Sequence, residues 1–88
     1  AISGQKTVST PGAAVRIGDD LVGGHVMIRA LPINTGYIYL GGQDCSSSTG
    51  IILAGGDAVI LINVSLFSDL WINADKSGEG IAWIKLEV

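Results

Sequence analysis

Eighty-eight residues with a formal net charge of −3 and only 15% charged side chains make one small domain, residues 1–88, and exclude several classes of protein. Binding to nucleic-acid phosphate needs clustered Lys and Arg, and the five here (Lys6, Arg16, Arg29, Lys76, Lys85) are scattered. Cys45 is the only cysteine and cannot form an intrachain disulfide, His25 is the only histidine and no Cys/His metal cluster exists, and no apolar run nears the roughly 20 residues of a membrane helix.

Helix signals are nearly absent. Thirteen glycines punctuate the chain, and β-branched residues fill the stretches between them, which favours short strands. In chain order the predicted strands are Gln5–Ser9, Ala14–Ile17, His25–Leu31, Gly36–Leu40, Ile51–Leu53, Ala58–Val64, Leu70–Ala74 and Ile81–Val88. About eight short antiparallel strands with turn residues between them predict an all-β fold, a small β-sandwich or squashed barrel. Residues 1–6 are polar and are expected to form an N-terminal arm that adds to a neighbouring sheet. Pro11-Gly12 sets up a type II turn, since proline fixes its own φ and glycine accepts a positive one. Gly55-Gly56-Asp57 and Lys76-Ser77-Gly78-Glu79-Gly80 read as hairpin ends. The stretch from Gly41 to Gly50, with Cys45-Ser46-Ser47-Ser48-Thr49 inside it, reads as a polar surface loop. Ser65-Leu66-Phe67-Ser68-Asp69 is the one place for a short helical turn, with Ser65 as its N-cap.

A chain this short buries only roughly 60–65% of the surface that its unfolded form exposes, so small domains lean on disulfides, metals or oligomerisation. The first two lack residues here. Apolar residues are 48% of the chain, and 15% charged compares with about 25% in an ordinary soluble domain. Contact with other chains, first of all with its own copies, is therefore expected.

Alternation along the strands assigns faces. In the seventh strand Leu70, Ile72 and Ala74 share one face, with Trp71 and Asn73 opposite; in the fourth, Ile38 and Leu40 oppose Tyr37 and Tyr39. In the last strand the polar residues Lys85 and Glu87 suggest that Ile81 and Trp83 face outward with them, leaving Ala82, Ile84, Leu86 and Val88 for the core. Tyr37, Tyr39, Trp71 and Trp83 thus fall repeatedly on the polar face. Three readings stay open for them: a second buried layer, a protein contact surface, or a platform for stacking on sugar rings.

The segments Val26-Met27-Ile28-Arg29-Ala30-Leu31-Pro32-Ile33-Asn34-Thr35-Gly36-Tyr37-Ile38-Tyr39-Leu40-Gly41, Gly50-Ile51-Ile52-Leu53-Ala54-Gly55-Gly56-Asp57, Asp69-Leu70-Trp71-Ile72-Asn73-Ala74 and Gly78-Glu79-Gly80-Ile81-Ala82-Trp83 occur in that order. The ordered set, over about residues 8 to 86, resembles a family of small β domains in structural proteins of tailed-phage particles. Gly55-Gly56-Asp57 stands where that family often has Pro-Gly-Glu, and Trp71 and Trp83 where it often has Tyr. The resemblance implies a capsid decoration (cement) protein on the outer surface of the virion, bound without covalent links to the major capsid protein and to its own copies. A homotrimer suits a threefold site on a shell. It transfers no catalytic residue, so no enzyme and no cofactor are expected. The alternatives are a tail or baseplate accessory domain and a carbohydrate-binding module for host attachment.

Other chemistry is thinly represented. Asp75-Lys76-Ser77-Gly78-Glu79-Gly80 alternates oxygen ligands as calcium loops do, but only Glu87 could supply the later carboxylate, so no metal site is expected. Cys45 as a nucleophile would need His25 within reach and a third group to orient it, and a lone cysteine in a serine-rich loop is ordinarily inert. The Gly-Gly pairs lack the Lys-Ser/Thr of a phosphate loop. Asn63-Val64-Ser65 matches a glycosylation triplet, yet residues 1–6 lack the basic-then-apolar pattern of a signal peptide. With one cysteine, synthesis in a reducing host cytoplasm is the expectation.

Overall fold

The computed structural model describes residues 2–18, 22–66 and 69–86. Eight strands form: β1 (Ile2–Thr7), β2 (Val15–Arg16), β3 (Val22–Ala30), β4 (Ile38–Gly41), β5 (Ile51–Leu53), β6 (Ala58–Leu66), β7 (Trp71–Ala74) and β8 (Gly80–Leu86). They make two four-stranded sheets, in the orders β1-β8-β3-β6 and β2-β7-β4-β5, with every ladder antiparallel. No α-helix forms among the described residues.

The pairing follows one rule. β4 meets β5, β3 meets β6, β2 meets β7 and β1 meets β8, as in one long hairpin; rolling that hairpin up adds the β8–β3 and β7–β4 ladders. This is the strand order of an eight-stranded jelly roll, an arrangement that stacks two sheets around one core. The fold is thus a small β-sandwich and not a barrel.

The core is aliphatic. Val26, Ile28, Ala30 and Ile81 of the first sheet, with Val8 just beyond β1, face Ile38, Leu40, Leu53, Ile72 and Ala74 of the second, with Ile17 just beyond β2. Each is at most 5% exposed, so each large side chain contributes on the order of 1.5–3 kcal/mol of burial. Positive φ at Gly12 and Gly56 closes two of the predicted turns, and Ala13 N–H donates to the Thr10 carbonyl as a type II turn requires.

Three expectations change. Residues 2–7 are not an arm: they pair with β8 over six registered residues and form an edge strand of the chain's own sheet. Ser65 lies within β6 and is not an N-cap; residues 67 and 68 of the expected helical turn lie outside the described residues. The faces of β8 are the reverse of those expected. Ile81 is fully buried and Trp83 packs against the core, while Ala82 and Ile84 point away from it. Lys85, on the same side of β8 as Trp83, is 8% exposed. The side chains of Leu86, Glu87 and Val88 lie outside the described residues.

Candidate functional site

The four aromatic residues singled out from the sequence do not share a face. Trp83 lies on the inner side of the first sheet, beside Gly4, its partner across the β1–β8 ladder. A Cβ at Gly4 would sit 2.8 Å from the indole Cζ2, so only glycine leaves room for the ring. The other three belong to the second sheet or the loop before it. Tyr37 is 52% exposed just ahead of β4. Tyr39 is on the outer face of β4 but only 4% exposed, and its hydroxyl donates to Asp75 Oδ2. That hydrogen bond, before burial and the nearby negative charge, raises the Tyr39 phenol above its ordinary value. Trp71 is half-buried, with the Arg16 guanidinium 5.2 Å from its ring centroid, a cation–π contact between register partners of β2 and β7.

Tyr39 is covered because residues 42–50 fold back over the outer face of the second sheet. Asn73, opposite Tyr39 in the β4–β7 ladder, is 7% exposed and donates from Nδ2 to the Cys45 carbonyl at 3.0 Å. Cys45 is thereby drawn in to 3% exposure, and burial, ahead of its other influences, pushes its thiol up from the ordinary range. The serine-rich run is bonded to itself. Ser46 N–H donates to Thr49 Oγ1, Ser48 N–H to Ser46 Oγ, and Gly50 N–H to the Ser46 carbonyl. The expected open polar loop is a lid fixed to the sheet, and its cysteine is on the opposite side of the sandwich from His25, which stands on β3. The two are not brought together.

A second network ties the segment before β4 to the turn before β8. Asn34 Nδ2 donates to the Gly80 carbonyl at 2.8 Å and its Oδ1 accepts Gly80 N–H at 3.0 Å, a two-bond match to backbone. Glu79, 4% exposed, accepts on Oε1 from Thr35 N–H, Thr35 Oγ1–H and Gly36 N–H, while its Oε2 is buried without a partner. Asn34, Thr35, Gly36, Glu79 and Gly80 thus act as a clasp across 43 to 46 residues of sequence. Asp75 is committed to Tyr39 and Glu79 to the clasp, so the residues of the supposed calcium loop are divided between two tasks. No group of three or more His, Cys, Asp or Glu side chains suited to a metal ion occurs among the described residues.

The outer face of the first sheet is different. Register sets Ile84, Met27 and Ile60 side by side across β8, β3 and β6, with Ser3 of β1 at the end of the row. The next outward row is Gln5, Ala82, Arg29 and Ala58. Ile60 is 67% and Met27 38% exposed, and Met27, Arg29, Ala82, Trp83 and Ile84 line a shallow depression. Arg29 is held at the rim, its Nε donating to the Gly56 carbonyl. An apolar row edged by Ser3, Gln5 and Arg29 has the make-up of a contact surface. Its residues went unrecognised in the sequence, although a signal was present: β3 and β8 carry near-continuous apolar runs, Val26-Met27-Ile28 and Ile81-Ala82-Trp83-Ile84, the pattern of a strand covered on both faces.

The chain matches no protein-family model, no curated protein and no solved structure. The likeness to phage β domains rests on its own residues.

Proposed function

We propose that this chain is a structural protein of a tailed-phage virion, a capsid decoration protein held on the outer shell by non-covalent contacts with the major capsid protein and with its own copies. The observation that carries the reading is the open apolar row on the first sheet, in a chain whose buried Asn73 and Glu79 are spent on a lid and a clasp. Asn34, Glu79, Asn73 and Asp75 hold backbone or a neighbouring side chain, and none is arranged around a reacting atom. The motifs that suggested the phage family, Asn34-Thr35-Gly36 and Gly78-Glu79-Gly80, form the clasp, so their spacing follows from architecture. Jelly rolls also serve in viral capsids and lectins, an analogy of fold that agrees with the reading without carrying it. Many weak contacts repeated over a lattice would reinforce a shell through avidity.

The test is binding of the purified chain to shells stripped of decoration, followed by sedimentation and quantitation of both proteins. Saturation in fixed ratio to the major capsid protein is the expected result. Absence from the shell fraction refutes the reading. Recovery only with tails points to the tail accessory alternative, and retention on a glycan array points to carbohydrate binding.

A further inference from the structure

We infer that the outer face of the first sheet is a self-association surface, on which two copies pack face to face about a twofold axis running across the strands. The inference rests on the reading of that face as a contact surface and names its occupant as a second copy of this chain.

Charge selects the occupant. The chain has eight carboxylates and a net charge of −3, yet no carboxylate occupies the two outward rows of Ser3, Ile84, Met27, Ile60 and Gln5, Ala82, Arg29, Ala58. Asp57, Asp75 and Glu79 are in turns, and Asp44 is in the lid on the other sheet. Among the described residues, the two rows therefore set no carboxylate against a carboxylate when two copies meet on them. Arg29, the one fixed charge on the rows, is at one end of β3 with His25 towards the other. A twofold across the strands places each Arg29 over the far end of its mate's sheet and keeps the two guanidinium groups apart.

Area agrees. Four strands about 4.8 Å apart, each contributing six residues of about 3.4 Å, present a flat face of roughly 400 Å² per copy. Two such faces hide about 800 Å² before side-chain relief is counted, short of the about 1,000 Å² that a stable specific interface clears and in the range of weak, transient association. That predicts a reversible dimer that forms on concentration, in place of the trimer expected from the sequence. Sheets stacked in this way lie about 10 Å apart, close enough for Met27 and Ile60 of one copy to interdigitate with those of the other.

Met27 is the chain's only methionine, so methyl-labelled protein carries one methionine resonance at the centre of the face. The experiment is a concentration series of the full chain by sedimentation equilibrium and methyl NMR, with folding checked by circular dichroism. The expected result is a monomer–dimer equilibrium in which the Met27 resonance moves with the dimer fraction. Ile60→Lys should weaken association at least about tenfold. Ile60→Ser, a milder change at the same exposed site, should weaken it less. Ile33→Lys, at an 80% exposed position in the segment before β4, should leave it unchanged. A monomer throughout the series, a Met27 resonance indifferent to concentration, or equal association by folded Ile60→Lys and wild type each overturns the inference. A monomer that still saturates shells refutes this dimer alone, whereas a dimer that ignores shells refutes the virion role alone.

Discussion

The sharpest test of the β8 faces is a thermodynamic cycle on Gly4 and Trp83, with Ile84→Ala as the control. Trp→Ala costs about 3–5 kcal/mol at a fully buried site. Trp83 is only partly buried against the core, so about 2–3 kcal/mol is expected. Ile84 points to the open face, and its three lost carbons, each worth about 0.8 kcal/mol when fully buried, should cost about 1 kcal/mol at partial exposure. In a domain of this size about 1 kcal/mol moves Tm by roughly 4–8 °C, which separates the two variants clearly. Gly4→Ala should cost about 1–3 kcal/mol on its own, because the new Cβ meets the indole at 2.8 Å. With Trp83 already replaced by Ala, that clash is gone and the second substitution should be nearly neutral. A coupling of about 1–3 kcal/mol is therefore expected. The assay is urea unfolding followed by circular dichroism at a concentration low enough to keep the protein monomeric. Additive effects of Gly4→Ala and Trp83→Ala, or an Ile84→Ala variant that melts as early as Trp83→Ala, would refute the assigned faces.

Two further outcomes follow from the second sheet. The Cys45 thiol should react with a disulfide reagent at neutral pH far more slowly than a free thiol, and Asn73→Ala, which releases the lid, should speed labelling and cost about 1–2 kcal/mol by leaving the Cys45 carbonyl unpaired; fast labelling of the wild type would show that the lid is open. For Tyr39 the raised folded-state value means that its bond to Asp75 stabilises the fold below about pH 10, the unfolded phenol value, and that this contribution is lost as pH climbs through the folded one. The tyrosinate absorbance that disappears in Tyr39→Phe should rise above pH 10 in wild type and at lower pH in Asp75→Asn; the same midpoint in both would refute the link.

How much of this was legible depended on whether a strand had two unlike faces. The eight strands could be read, β1 only in part because residues 1–6 were taken for an arm, as could the turns at Gly12 and Gly56, because glycine and proline mark chain reversals locally and β-branched runs fill the gaps between them. In β7 the alternation worked: Ile72 and Ala74 are core, with Trp71 and Asn73 opposite. Tyr39 and Cys45 were placed on the right strand and loop, but the burial of Tyr39 stayed an open reading and Cys45 was read as part of an exposed loop. Their burial comes from a bond between Asn73 and Cys45, 28 residues apart, which no local pattern reports. The clasp was hidden for the same reason, since Asn34 and Glu79 meet only after the hairpin has rolled up.

In β8 the alternation misled for a physical reason that bears on function. Both faces of that strand are apolar, so the polar residues at its end were taken to mark the outside, whereas Lys85 is buried on the same side of the strand as Trp83. A sequence selected only for an isolated soluble sandwich would resolve that ambiguity with polar residues at Met27, Ile60 and Ile84, as it does at Ser3 and Gln5 on the neighbouring edge strand. Burial in this fold gives no reason for Met27 and Ile60 to face water side by side, and burial against another molecule would. Local rules tend to fail where a surface is kept for something other than folding. Here they fail on the first sheet's outer face, the surface proposed above for contact.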